Sequence, residues 1–299
     1  MIEEFEYNGK AMGTEYSIAI VSASHELSDK LYEISKTEIE KYEKIFSRFL
    51  KTSELSILNE NKNMIVSQEF FDVTLKAREL FEETRGVFNP LIQVSRLGYN
   101  KNYSDIKNDE KTKDESIYDI DFSNTQIDRQ SRRIQLNKGQ KLDYGGFLKG
   151  YLAEIIAKQI KSYSVEIIGV IVNLGGDIHT QGLDKNGNSF VFNIYNPISQ
   201  NNDIEVTLYN ESLATSGTYK RSWLNFGKKI HHILDIFGKQ NPENDVVSAS
   251  VVCEDGAISE AYAKVFISID YKNAMKLLGE KKISTIIIKN NGQVIKNII

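Results

Sequence analysis

The chain has 299 residues, of which 40% are hydrophobic and 26% are charged, and its formal net charge is −4 at pH 7. This composition indicates a soluble globular protein with a sizeable core, and the small negative charge gives no electrostatic reason to expect a nucleic-acid partner. The single cysteine, Cys253, excludes an intrachain disulfide and a multi-thiolate metal site, and its apolar neighbours predict a buried thiol.

The sequence shows no pattern of a membrane span or of a secretory leader. No apolar run approaches the about 20 residues that span a bilayer, so no membrane span is predicted. The N-terminal segment MIEEFEYNGKAMG is acidic and lacks the basic region, apolar core and cleavage site of a secretory leader. As the sequence stands we expect a cytoplasmic protein; the alternative is an exported or membrane-anchored protein whose leader has been removed.

The N-terminal part of the chain predicts one strand followed by three helices. β-Branched and aromatic residues predict a strand over 14–23, and apolar residues at helical spacing predict a helix over 24–46. A short helix is predicted over 53–58, capped by its first serine, and a longer one over 67–85, with Gly86 as its stop signal.

The rest of the chain mixes turns, strands and helices. The polar segment 99–117 predicts a long exposed insertion, and 142–163 predicts a glycine-rich turn that runs into a helix. The other predicted elements are a hairpin at 125–136, strands within 169–182, 189–196, 204–210 and 246–256, helices at 257–269 and 271–281, and a hairpin at 284–298. Together they predict an α+β fold, with mainly antiparallel sheets and helices packed on them, as one domain over 1–299.

One glycine cluster has the composition of a phosphate site. The segment DYGGFLKG places Asp143, Gly145, Gly146, Lys149 and Gly150 at the predicted start of a helix. Glycines let the backbone approach a ligand, a helix N-terminus offers unpaired N–H groups, and the lysine adds a positive charge. The spacing matches neither the Walker motif nor the dinucleotide-binding motif, so a plain tight turn is an equal alternative.

Two further small-residue segments are ambiguous. Gly175, Gly176 and Asp177 follow an apolar strand, where a bend in the sheet is favoured over a wall that contacts a flat ligand. The segment ATSGTYKR is a turn able to hydrogen-bond a phosphate or a ring edge, but no nucleophile-elbow pattern surrounds Ser216.

The four histidines give one candidate for chemistry. His25, at a helix start, and His179, followed by polar residues, are predicted to lie on the surface. His231 and His232 are adjacent in a strand-like segment, where successive side chains point to opposite faces. At most one of the two therefore faces a given site, and alternation alone does not say which.

Eight segments, in this order, resemble the motifs of one family, the FAD:protein FMN transferases or ApbE flavin transferases. They are MGTEYSIAI, FSRFLKTSELSILN, GVFNP, LDYGGFLKGYLAE, IVNLGGDI, LATSGTYKR, KIHHILD and GAISEAYAKVF. The resemblance runs from about residue 12 to residue 269. It implies an ApbE-like, T-fold-related architecture and an enzyme that moves FMN from FAD to a Thr or Ser hydroxyl of a target flavoprotein, with release of AMP.

The resemblance also implies which residues form the site. The implied catalytic residues are His232, suited to receiving the proton of the target hydroxyl, and Lys149, beside the pyrophosphate. The implied FAD-binding residues are Met12, Gly13, Phe49, Ser53, Glu54, Asp143, Gly145, Gly146, Lys149, Gly150, Gly175, Gly176, Asp177, Thr215, Ser216, Gly217, His232 and Lys264.

The chain departs from the family pattern at the implied Mg²⁺ ligands. Family members hold Mg²⁺ with an Asp, a Thr four residues later and a backbone carbonyl; the matching positions here are Glu260, Lys264 and the carbonyl of Leu148. A glutamate can ligate Mg²⁺, but a protonated lysine cannot. Three interpretations stay open: an ordinary (i, i+4) helix pair, an ammonium that takes the place of Mg²⁺, and a protein that only binds a flavin.

Overall fold

The structure is a computed structural model that describes residues 1–97, 118–225 and 227–299. The insertion predicted over 99–117 lies outside these described residues. The helices are α1 His25–Phe46, α2 Glu54–Asn61, α3 Gln68–Glu83, α4 Leu148–Tyr163, α5 Gly256–Ser268 and α6 Tyr271–Leu278. The strands are β1 Glu3–Ala11, β2 Thr14–Ser22, β3 Asn63–Ile65, β4 Gln126–Asp128, β5 Arg133–Gln135, β6 Ile167–Leu174, β7 Asp177–Gly182, β8 Phe190–Asn196, β9 Asn201–Leu208, β10 Ser212–Gly217, β11 Ser222–Asn225, β12 Lys228–His231, β13 Val246–Cys253, β14 Ser284–Lys289 and β15 Val294–Asn297.

An eight-stranded sheet organises the fold. Its strand order is β1-β2-β6-β7-β10-β13-β14-β15, and each neighbouring pair is antiparallel. Helices α4 and α5 pack on this sheet, and smaller antiparallel sheets are formed by β3-β5-β4, β8-β9 and β11-β12. The predicted α+β class with mainly antiparallel sheets is confirmed.

The main core lies between this sheet and the helices. Ile18 and Ile20 of β2 and Val170 of β6 are fully buried. They share one face of the sheet, because alternate side chains of a strand, and the side chains of residues paired across two strands, point the same way. Leu152 and Ile156 of α4, four residues apart, are buried on one stripe of the helix. This packing fixes α4, and therefore the glycine-rich turn that precedes it, relative to the sheet.

A serine caps each of the first three helices, and the cap at Ser53 was predicted. The hydroxyls of Ser24, Ser53 and Ser67 accept hydrogen bonds from backbone N–H groups of the first turns of α1, α2 and α3, at 3.0–3.2 Å. Helix α3 ends two residues earlier than predicted, with Gly86 at φ +81° just beyond it. The helices predicted in the first part of the chain are thus confirmed.

Strand β1 was not predicted, because its glutamates make the segment resemble an exposed, irregular terminus. It pairs with β2 over its whole length, from Glu3 opposite Ser22 to Ala11 opposite Thr14. The connecting residues, Met12 and Gly13, have φ angles of 53° and 69°, as in the two-residue hairpin turns whose twist suits antiparallel strands.

His179 corrects one prediction. We expected a surface residue, but His179 is fully buried on β7, in the interior of the eight-stranded sheet. Its Nδ1 lies 2.6 Å from Ser212 Oγ and its Nε2 lies 2.9 Å from Gln181 Nε2. Polar neighbours in sequence suggested exposure, whereas α4 covers this face of β7. The surface prediction for His25 is confirmed, as is the burial of Cys253.

The helices of the described residues are too short or too polar to cross a membrane.

Candidate active site

A cavity of about 440 Å³ opens between the β1–β2 turn, the segment that follows α1, the glycine-rich turn before α4, the segment that follows β12, and α5. This volume lies within the range of small-molecule sites. Ten of the sequence-predicted site residues line it: Met12, Gly13, Phe49, Asp143, Gly145, Gly146, Leu148, Lys149, His232 and Lys264. Tertiary folding therefore brings together residues from both ends of the chain.

Several other predicted site residues lie outside this lining. Gly175 and Gly176, at φ 69° and 101°, form the tight turn that joins β6 to β7. On β10, the hydroxyl of Thr215 lies 2.8 Å from that of Ser250, and a Cβ on Gly217 would lie 2.4 Å from the Tyr219 ring. Ser216, also on β10, is outside the lining as well. For these residues, contact with a ligand stays a prediction.

Ser53 and Glu54 hold local structure beside the cavity. The Ser53 hydroxyl donates to the Ser47 carbonyl at 2.6 Å, and Ser47 lines the cavity. The Glu54 carboxylate accepts from the backbone N–H and the hydroxyl of Ser67, both at 2.6 Å. These bonds tie the segment after α1 to the starts of α2 and α3, so both residues position a cavity wall in this arrangement.

The glycine-rich turn is shaped by Asp143. One carboxylate oxygen accepts from the Gly145 N–H at 2.9 Å, and the other accepts from Arg48 Nη1 at 2.6 Å. A Cβ on Gly146 would lie 2.9 Å from the Phe88 ring, so the turn packs more closely there than a side chain allows. Arg48 also lines the cavity. Arg48 lies in the family-like segment FSRFLKTSELSILN, which is a signal that could have found it, but no local pattern predicts its partner 95 positions away.

Four charged groups meet where α4, α5 and β7 approach each other. Lys149 Nζ binds Asp177 Oδ2 and lies 3.0 Å from Glu260 Oε1. Lys264 Nζ lies 2.9 Å from the same Glu260 oxygen. We call Lys149, Asp177, Glu260 and Lys264 the charge cluster. Its two carboxylates are buried and its two lysines also line the cavity, so the lysines connect the buried carboxylates to the ligand space.

The charge cluster is electrostatically coupled. Burial alone would lower the pKa of Lys149, but Asp177 and Glu260 raise it above its usual value. Burial alone would raise the pKa of Glu260, but Lys149 and Lys264 lower it well below its usual range. For Asp177, burial and the nearby Glu260 raise the pKa against the pull of Lys149. The charged form of Glu260 is stabilised more than that of Asp177, because Glu260 contacts two lysines and a backbone N–H.

A backbone contact between α4 and α5 sets this geometry. A Cβ on Gly150 would lie 2.2 Å from the Gly256 carbonyl oxygen, and a Cβ on Gly256 would lie 2.1 Å from the Gly150 oxygen. The resulting close approach lets the Gly150 N–H donate to Glu260 Oε2 at 2.9 Å. Gly150, predicted to bind FAD, thus lies at a helix crossing and orients Glu260.

Of the two adjacent histidines, His232 lines the cavity. Its Nδ1 is buried and has no hydrogen-bond partner within the described part of the chain. Burial, with Arg221 and Lys264 nearby, lowers the pKa of His232 to about 3. The ring is therefore neutral at physiological pH, and a bound anion that offsets the charges of Arg221 and Lys264 would raise its pKa and make it a stronger base. His231 lies outside the lining, and its Nδ1 accepts from the Ile233 N–H at 3.3 Å.

Two further cavity residues escaped sequence analysis. Glu43 accepts a hydrogen bond from the Met12 N–H at 2.8 Å and so holds the β1–β2 turn against α1. Arg221 lines the cavity beside His232, whose backbone N–H donates to the Arg221 carbonyl at 3.3 Å. Arg221 is the last residue of LATSGTYKR, a segment that resembles a family motif, so its sequence position is a signal that could have found it. Glu43 has no such signal.

The implied magnesium site does not fit these residues. Glu260 Oε1 already accepts from two ammonium groups, and Glu260 Oε2 accepts from a backbone N–H. Mg²⁺ requires oxygen ligands in near-octahedral geometry, whereas Lys264 places three N–H donors beside the carboxylate. Within the described residues, no group of three or more His, Cys, Asp and Glu side chains could hold a metal ion. The lysine-paired carboxylate is therefore no ligand set for Mg²⁺ in this arrangement.

Comparison with known proteins agrees with the fold. The model of the ApbE family matches residues 12–287, and the chain belongs to this family. Curated relatives named FAD:protein FMN transferase include one from Klebsiella pneumoniae (strain 342), 22% identical over 97% of this chain and 91% of the relative, and one from Escherichia coli (strain K12), 20% identical over 96% and 85%.

Solved structures show the same fold. The ApbE protein from Thermotoga maritima superposes with a TM-score of 0.84 at 22% identity, covering 99% of this chain and 97% of that one. The flavin transferase ApbE from Vibrio cholerae gives a TM-score of 0.81 at 20% identity, covering 99% and 98%. The architecture implied by the sequence motifs is therefore confirmed over almost the whole chain.

Proposed function

We propose that this protein is an FAD:protein FMN transferase, which moves FMN from FAD to a Thr or Ser hydroxyl of a target flavoprotein and releases AMP. The observation that carries the proposal is that one cavity is lined both by His232, whose ring is neutral, and by the two lysines of the charge cluster. The curated relatives, all transferases by name, support the reaction class. The enzyme is thus a transferase whose substrate is FAD.

The reaction is attack by oxygen on phosphorus. The acceptor hydroxyl oxygen forms a bond to the phosphorus of the FMN half of FAD, and the bond from that phosphorus to the bridging oxygen breaks. AMP leaves with the bridging oxygen and its electron pair. A ring nitrogen of His232 takes the hydroxyl proton, which later passes to solvent. Catalysis of this kind consists mainly of positioning and charge stabilisation.

The other cavity residues bind and orient the pyrophosphate in this proposal. Gly145 and Gly146 of the glycine-rich turn and Leu148 and Lys149 of the first turn of α4 line the cavity, and helix N-termini bind anions. Lys149 adds a positive charge on the first turn of that helix. The apolar side chains of Val87, Phe88 and Ile92 line the same cavity and provide surface for a flavin ring.

A second candidate function is an FAD-binding homologue without transfer activity, a flavin carrier or sensor. The observation that favours it is the ion pair between Lys264 and Glu260. The family resemblance implies a metal ligand at each of these two positions. In this candidate the cavity binds FAD, but the charge that develops on the leaving AMP is not stabilised well enough for transfer.

Incubation of the full chain with FAD and a panel of flavin-acceptor domains tests these functions. We expect covalently flavin-labelled acceptor, seen as fluorescence in a denaturing gel, and an equal amount of AMP. FAD binding with no AMP and no labelled acceptor would favour the second candidate. AMP and free FMN without an acceptor would indicate a flavin-pyrophosphate hydrolase instead. An acceptor with its target Thr changed to Val is the matched control.

A further inference from the structure

The arrangement of Lys264 points to a function without a divalent metal. We propose, building on the proposed function, that the Lys264 ammonium binds the FAD pyrophosphate directly, so that the protein binds FAD and transfers FMN without Mg²⁺. Lys264 then determines the cofactor requirement of the site. Three observations, on ligand availability, charge and position, carry the inference.

The first observation is that no carboxylate oxygen is available to a metal. Glu260 is 1% exposed, and both of its oxygens already accept hydrogen bonds. Asp177 is buried and bound by Lys149. A metal ion at either carboxylate would have to displace an ammonium group from a buried ion pair, which leaves a charge uncompensated.

The second observation is the charge balance of the cluster. Two carboxylates, Asp177 and Glu260, face two ammonium groups, Lys149 and Lys264. An added divalent cation would lie within a few ångströms of both ammonium groups, in a region where water screens poorly. An anion at the same place would instead be attracted by the ammonium groups of both lysines.

The third observation is the position of Lys264. Glu260 Oε1 is its one hydrogen-bond partner among the described residues, so two of its three N–H donors remain for a ligand. A Cβ on Gly146 would lie 3.8 Å from Lys264 Cδ, which places the lysine stem directly beside the glycine-rich turn. The start of α4 and the Lys264 ammonium therefore face the same part of the cavity.

Binding measurements on the full chain test the inference separately from catalysis. We expect the FAD dissociation constant, measured by quenching of flavin fluorescence, to agree within twofold in EDTA and in Mg²⁺. Titration with Mn²⁺ alone, followed by electron paramagnetic resonance, should show no bound ion at micromolar concentrations. FAD binding that weakens tenfold or more in EDTA, or stoichiometric Mn²⁺ binding, would overturn the inference.

Variants of Lys264 give the second test. We expect Lys264→Thr to weaken FAD binding in EDTA about tenfold or more, because a charge-assisted hydrogen bond is lost. Lys264→Arg should retain binding within a few fold. Lys272→Thr, at an exposed lysine on α6, is the matched control and should bind FAD like the parent. Unchanged FAD binding by Lys264→Thr in EDTA would contradict the inference.

Loss of folding is controlled within the same series. Glu260 keeps Lys149 and the Gly150 N–H as partners in Lys264→Thr, so this variant should show the circular dichroism of the parent. The inference and the proposed function fail in different ways. FAD binding in EDTA without AMP release would sink the transferase proposal and leave direct pyrophosphate binding by Lys264 in place. FMN transfer that requires Mg²⁺ would support the transferase proposal and overturn the inference about Lys264.

Discussion

Gly150 and Gly256 touch through their backbones where α4 crosses α5, and neither position has room for a side chain. This contact places Glu260, one turn further along α5, against the start of α4. The charge cluster therefore depends on a helix crossing that only glycine permits. Electrostatics at the cavity and packing in the core are linked through these two residues.

The first prediction concerns this crossing. Gly150→Ala should lower the free energy of unfolding by about 1–3 kcal/mol, because a methyl group is forced into backbone atoms and the helices must separate. It should also weaken FAD binding, since Glu260 and Lys264 move with α5. Urea unfolding and flavin fluorescence measure the two effects. The control is Gln159→Ala, on the exposed face of α4; equal stability of the two variants would contradict the packing argument.

The second prediction concerns the adjacent histidines. His232→Asn should reduce the rate of FMN transfer about 10²–10⁴-fold, the usual contribution of a general base, while FAD binding changes little. His231→Asn should keep most of the transfer rate, because His231 lies outside the cavity lining. Single-turnover AMP release is the measurement. Similar losses in both variants would mean that His232 does not take the proton.

The third prediction concerns Lys149, the half-buried lysine that contacts both carboxylates of the charge cluster. Lys149→Met leaves Asp177 and Glu260 buried close together with one shared cation removed. Breaking a buried ion pair in this way costs about 3–5 kcal/mol. We expect a loss of this size in chemical denaturation at pH 7. Lys158→Met, at an exposed lysine of α4 that pairs with Glu154, should cost less than about 1 kcal/mol; comparable losses would refute the role given to the cluster.

The fourth prediction is the pH dependence of stability. Burial lowers the pKa of His179 to about 3 in the folded protein, whereas an unfolded histidine titrates near 6.5. Below pH 6.5 the unfolded chain binds a proton that the folded chain does not, so stability falls as the pH falls, until the folded state also titrates near pH 3. At pH 5 the loss from this residue is about 2 kcal/mol.

His179→Asn isolates this contribution. The variant removes the titrating group, so its free energy of unfolding should fall less steeply between pH 7 and pH 5 than that of the parent. Parallel slopes for the parent and His179→Asn would show that His179 is not buried in its neutral form.

Local chemistry in the sequence was enough to predict most elements. The serine cap of α2, the apolar spacing of α1 and the Asn-Gly turn before β15 act over a few residues, and each appears where predicted. Strand β1 was missed because its acidic residues resemble an exposed segment, and it becomes a strand through pairing with β2. His179 was misplaced because its burial depends on α4, which packs over β7.

The site was only partly accessible from the sequence. Motif resemblance selected His232, Lys149 and the glycine-rich turn, and these residues do meet at one cavity. The partners of these residues could not be derived in that way. Arg48 reaches Asp143, and Glu43 reaches Met12, across distances in sequence that no local pattern encodes.

The sequence by itself therefore determined the order of the elements, the family and the identity of the residue at each implied ligand position. The tertiary structure alone decided how those residues pair. Glu260 and Lys264 could have formed an ordinary helix pair, but the α4–α5 crossing buries Glu260 and adds Lys149 to it. The physical reason is that burial and ion pairing depend on contacts between distant segments, whereas helix and turn formation depends on near neighbours.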